Sequence, residues 1–148
     1  MTTTNLRHVG IVSNNLNRSI KFYKDILGFK IIKKMNESGS NLSKVMGLKN
    51  VKVTTVKMKP FDGDTMIELL YWKNPVPKKK INCPKLNYFG LTHYAMTVKN
   101  IDKLYIKLKN KGVEFLHEPL MSEDKNVKLA FCKSPDGVFI EMVQVLKK

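Results

Sequence analysis

The chain has 148 residues, 43% of them hydrophobic, which is the size of one ordinary domain with enough apolar material for a core. Its formal charge is +15, but only Arg7 and Arg18 of the 27 basic residues are arginines, and the lysines are spread without any nucleic-acid motif; a solvated surface favouring small anionic substrates is expected, and nucleic acid is not. No apolar run approaches the roughly 20 residues of a bilayer span, the start Met-Thr-Thr-Thr-Asn lacks a secretory pattern, and Cys83 and Cys132 stand in no CxxC or Cys/His spacing, so a cytoplasmic protein with two free thiols and no membrane partner is expected.

In chain order, Leu6, His8, Gly10 and Val12 alternate with Arg7, Val9 and Ile11, which predicts a strand with His8 on the face opposite Val9 and Ile11. Leu16, Ile20, Tyr23 and Leu27 then fall at helical spacing, between an asparagine-rich start able to cap free amides and a glycine stop at Gly28. A strand-like run follows at 29–32. Residues 35–50 fit neither period, and 42–46 suit one short helical turn set in a loop. Strands are predicted at 54–58 and 66–72. Residues 73–87 hold Pro75, Pro77, Pro84 and the lysine run 78–80, the composition of a linker. Beyond it, strand 91–98 leads to Ile101, Leu104, Tyr105 and Leu108, a helix between Asn100 and Gly112, then strand-like runs at 113–116, 127–133 and 138–146.

The second half repeats the first. Leu6-Arg7-His8 matches Leu91-Thr92-His93, Asn15-Leu16 matches Asn100-Ile101, and Gly28 matches Gly112. The copies end alike too: Asp62-Gly63 and Asp136-Gly137 each turn into a strand carrying Glu after Ile, at Glu68 and Glu141. The expected architecture is α+β: two βαβββ modules in tandem, 1–72 and 88–148, joined by the linker 73–87 into a single domain.

Each copy thus supplies one histidine on its first strand and one glutamate on its last. Two imidazoles and two carboxylates are a mixed N/O donor set suited to one divalent ion, zinc, nickel, cobalt, manganese or iron. A single His or Glu on a strand is more often a satisfied polar residue, but four in matched places argue together, and a metal ion offsets the cost of burying an unpaired carboxylate. Other residues read more plainly. Cys132 lies in an apolar stretch and suits a small buried hydrophobe. His117, before Pro119, suits a surface turn better than a cleft mouth. Tyr71 and Trp72 suit a cleft wall or core packing equally.

Leu-Arg-His-Val-Gly-Ile with Ser-Ile-Lys-Phe-Tyr-Lys-Asp-Ile-Leu-Gly-Phe in the first copy resembles the vicinal-oxygen-chelate superfamily, as do Leu-Thr-His-Tyr-Ala-Met and Ser-Pro-Asp-Gly-Val-Phe-Ile-Glu-Met-Val in the second. This is the group of glyoxalase I, methylmalonyl-CoA epimerase, extradiol dioxygenases and the fosfomycin and bleomycin resistance proteins. The resemblance implies a curled mixed sheet around a metal-binding cleft, with His8, Glu68, His93 and Glu141 as ligands, and it leaves Phe22, Tyr23 and Gly28 to helix packing and capping. Extradiol and fosfomycin enzymes typically lack an acid at the Glu68 position, and methylmalonyl-CoA epimerases are closer to His/Gln/His/Glu with a separate base. The complete His/Glu/His/Glu set looks most like glyoxalase I. It implies a lyase or isomerase in which a divalent ion polarises a carbonyl and a carboxylate, Glu141 or Glu68, takes and returns the proton beside it. It further implies a homodimer. An acyl-CoA epimerase, an extradiol-type dioxygenase and a binding or resistance protein without turnover are the alternatives.

Overall fold

A computed structural model describes residues 5–78 and 85–146. The chain divides into two compact units, Met1–Ile81 and Asn82–Lys148. Cys83, and two of the three lysines of the run 78–80, lie outside the described residues.

In the first unit β1 (His8–Val12) is followed by α1 (Leu16–Lys21), β2 (Lys30–Ser38), α2 (Ser40–Met46), β3 (Lys52–Lys59) and β4 (Met66–Asn74). The sheet order is β1-β4-β3-β2, with β1 and β4 parallel and the other pairs antiparallel. The second unit holds β5 (His93–Thr97), α3 (Ile101–Asn110), β6 (Leu120–Met121), β7 (Val127–Lys133) and β8 (Phe139–Val145), in the order β5-β8-β7-β6 with the same parallel and antiparallel pattern. The α+β expectation is borne out, each module carrying its own four-stranded mixed sheet.

The helical segment of the first unit departs from one regular helix. Asn15 caps it as expected, its Oδ1 accepting from Arg18 N at 3.1 Å. After Lys21 the chain loosens into a π-helical stretch, Phe22–Ile26, with Leu27 N donating to Phe22 O at 3.0 Å. Gly28, at φ +80°, then turns the chain, and Phe29 N reaches Tyr23 O at 2.8 Å. The wide turn carries the buried Phe22 and Tyr23, and Tyr23 meets Phe22 and Phe29 edge to face. These rings join the buried Ile11, Val56, Met58, Ile67 and Leu69 in the core of the unit. Ile67 and Leu69 alternate with Glu68 and Leu70, so the glutamate faces away from this core.

The second unit follows the same plan with Ile101, Leu108, Ala130, Cys132, Ile140 and Met142 buried. Asn100 does not repeat the cap of Asn15. It sits at φ +53° without a side-chain bond to the helix, and the first amide of α3, Ile101 N, donates instead to Gln144 Oε1 on β8 at 2.7 Å. A residue 43 positions away supplies the cap, which no local pattern announces.

Two strand boundaries also differ from expectation. β2 runs on to Ser38, past residues without apolar alternation, because an edge strand exposed on both faces is held by its ladder to β3 and by Thr54 and Thr55 donating to Asn36 and Glu37 at 2.6 Å. Residues 113–116 pair with β7 through one bridge, Phe115 with Cys132, flanked by bonds from Lys133 N to Glu114 O and Leu116 N to Phe131 O. Regular pairing resumes only at β6. Residues 42–46 lie within α2, which ends on Gly47 in the left-handed region.

Candidate metal centre

Parallel pairing of the first and last strands places the ligand-type residues of each unit side by side. In the first, His8 is level with Met66 and Gly10 with Glu68. In the second, His93 is level with Phe139 and Ala95 with Glu141. The registers are the same. Each histidine therefore shares a face with a glutamate two places further along the neighbouring strand, the diagonal along which long side chains meet.

The side chains do meet. His8 Nε2 lies 3.2 Å from Glu68 Oε2, and His93 Nε2 lies 3.5 Å from Glu141 Oε2. Both glutamates are largely buried, at 14% and 22% side-chain exposure, against 32% and 37% for the histidines. The rings are fixed differently at their far nitrogens. His93 Nδ1 stands 2.9 Å from Thr92 Oγ1, while His8 Nδ1 is buried and has no partner among the described residues. His93 also rests edge-on against Phe131, with centroids 5.3 Å apart.

The donor chemistry suits a divalent ion, and so do the separations. Two donors each about 2.1 Å from one ion stand roughly 3.0–3.4 Å apart at octahedral or tetrahedral angles, close to both observed distances. Within each unit the set stops at two: no group of three or more His, Cys, Asp and Glu side chains is found among the described residues.

The neighbours of the glutamates were not singled out in the sequence. Lys57 on β3 is level with Glu68, and its Nζ lies 3.6 Å from Glu68 Oε1. Phe131 on β7 is level with Glu141. A cross-strand register is needed to find either, and no residue pattern reveals it. Trp72 shares the Glu68 face of β4, whereas alternation puts Tyr71 on the opposite one. His117 Nδ1 donates to Glu118 O at 2.6 Å, and its ring lies 6.3 Å from that of Phe131. Cys132 is fully buried, and desolvation pushes its thiol up to about 12, so it stays protonated at neutral pH and serves packing.

Residues 5–142 match the model of the Glyoxalase/Bleomycin resistance protein/Dioxygenase superfamily. The chain belongs to this superfamily. Among its curated relatives is the lactoylglutathione lyase of Schizosaccharomyces pombe, 31% identical over 97% of this chain and 48% of that protein. Another is a Synechocystis protein named "Probable lactoylglutathione lyase", 29% identical over 97% of both chains. The chain thus spans about half the length of the yeast relative and nearly all of the cyanobacterial one. Among solved structures, a glyoxalase family protein from Bacillus cereus superposes with a TM-score of 0.86 at 24% identity, covering 99% of both chains, which supports the glyoxalase-type fold. The trypanothione-dependent glyoxalase I of Leishmania major gives 0.66 at 25% identity, over 96% of this chain and 87% of that one. No helix among the described residues is long and apolar enough to cross a membrane.

Proposed function

We propose that the chain is a divalent-metal-dependent lyase or isomerase of the glyoxalase I type, acting on a small anionic α-carbonyl substrate and working as a homodimer. The observation that carries this reading is the repeated register: two histidines and two glutamates occupy equivalent places on the first and last strands of the two modules, each pair at the spacing of neighbouring ligands. His8, Glu68, His93 and Glu141 would hold the ion. Relatives named lactoylglutathione lyase support the reaction class.

Bound in that set, the ion would supply a Lewis acid that polarises the substrate carbonyl and makes the neighbouring carbon acidic. The chain's own part is to orient and to move one proton. Each histidine presents Nε2, and Thr92 fixes the ring of His93 through Nδ1. Glu141 takes the proton from the carbon beside the carbonyl and returns it to the adjacent position, acting as base and then as acid. Glu68 stays beside His8. The lysine-rich surface draws anionic substrates toward the protein.

The direct test is metal content. Purified wild type should carry about one divalent ion per chain by elemental analysis, and the His8→Ala, His93→Ala double variant should carry far less after reconstitution. Equal, low metal in both would overturn the reading. Assaying hemithioacetal and 2-methylacyl-CoA turnover side by side separates the lyase from an acyl-CoA epimerase, and light scattering reading a clean monomer at micromolar concentration would remove the dimer.

A further inference from the structure

The two glutamates are equivalent in backbone position but not in what meets their second oxygen. Glu68 points Oε2 toward His8 Nε2 at 3.2 Å and Oε1 toward Lys57 Nζ at 3.6 Å. Lys57 is level with Glu68 across the β3–β4 ladder, so its side chain rises from the same face and from the nearest strand position. It is only 23% exposed, which keeps the ammonium beside the carboxylate rather than out in solvent. In the second module the position level with Glu141 belongs to Phe131. That ring packs against His93 and offers no hydrogen-bond donor to a carboxylate. Among the described residues, no lysine or arginine forms an ion pair with Glu141; its one such partner is His93.

We infer that Lys57 is a positioning residue that makes Glu68 a one-oxygen ligand, leaving Glu141, whose Oε2 faces His93 and whose second oxygen no lysine or arginine of the described residues engages, as the more mobile carboxylate. The inference deepens the metal-dependent reading above and rests on it. A carboxylate has two oxygens, and one held in an ion pair with an ammonium, as Oε1 is at 3.6 Å, is less available to a second cation; the other, facing His8 Nε2, remains. Leaving the ion would also cost Glu68 its alignment with two partners at once, whereas Glu141 has only one to leave. The division of labour between ligand and base is then set outside the four ligand residues, by the side chain one strand away from each glutamate.

Cobalt(II) uptake tests this without any substrate. Wild type, Lys57→Met and Lys57→Arg would be reconstituted with Co²⁺, their stoichiometry measured, and their visible absorption compared, since four- and five-coordinate Co²⁺ absorbs more strongly than six-coordinate Co²⁺. With the lysine gone, Glu68 can bind through both oxygens and raise the coordination number. The Lys57→Met spectrum should weaken about twofold or more at unchanged stoichiometry, and Lys57→Arg, which keeps the cation, should retain the wild-type spectrum. Lys57→Gln serves as a second neutral variant, and circular dichroism checks the fold of each. If Co²⁺ binds one per chain and the neutral variants keep the wild-type spectrum, the role of Lys57 is overturned and the metal reading stands. If wild type takes up no Co²⁺, both fall.

Discussion

The two modules share a register and differ in almost everything attached to it. His8 with Glu68 and His93 with Glu141 occupy the same places in the same parallel pairing. Around that constant frame the edge strand shrinks from nine residues in β2 to two in β6, the helix cap moves from Asn15 to Gln144, and the residue facing the glutamate changes from Lys57 to Phe131. The ladder tolerates little variation, because a shift of one residue turns every side chain to the other face and separates histidine from glutamate. Caps and edges tolerate a great deal, because each is worth about 1 kcal/mol and can be met by another residue.

The largest effect that would break the comparison lies in the glutamates. Glu141→Gln, loaded with metal, should lose about a hundredfold or more in kcat while keeping the ion, since a neutral amide ligates through oxygen but accepts no proton. Glu68→Gln should lose mainly metal affinity, and excess metal should restore its rate. A metal-loaded Glu141→Gln turning over an accepted substrate at the wild-type rate would return the base role to Glu68 and reverse the asymmetry.

A smaller effect is confined to the second unit. The folded state keeps the Cys132 proton up to a pH of about 12, while the unfolded chain releases it above the ordinary value of 9.0. Unfolding is therefore favoured as pH rises through that window, by about 1 kcal/mol per pH unit. Cys132→Ala fills the site less well and should be the less stable protein at pH 8. Its deficit should narrow by about pH 10.5 in chemical denaturation, and an unchanged gap would show that Cys132 does not set the alkaline limit.

The caps give the smallest differences. Asn15→Ala and Gln144→Ala should each cost about 1 kcal/mol by thermal denaturation, although one residue is local to its helix and the other is not. Asn100→Gly should be neutral or gain a few tenths of a kcal/mol, because the position needs a left-handed backbone and makes no side-chain cap. A clear loss there would mean that Asn100 caps α3 after all.

What the sequence disclosed follows the reach of each interaction. Strand alternation and helix period are local, so β1, β3, β4, β7 and β8 could be read closely, and the repeat exposed the pairing of His8 with His93 and of Glu68 with Glu141. The extension of β2 was hidden because its residues are held by partners on β3 rather than by their own pattern. Residues 113–116 look like a strand and make a single bridge: Val113 is buried and Phe115 meets Tyr105 edge to face, while Leu116 is exposed. Lys57 was one lysine among many. Only a register known from the backbone gives it a neighbour.

The parallel pairing of first and last strands has a consequence for how the protein is made. His8 and Glu68 are 60 residues apart, and His93 and Glu141 are 48, so each pair joins nearly the two ends of its module. A chain emerging from the ribosome holds every other strand of a module before it can bring these two together. Closing so long a loop is entropically costly and comes late. Neither His–Glu pair exists in a partly built module, so on the proposed metal-dependent reading an ion would meet its donors only once the sheet is complete, and would follow folding rather than seed it.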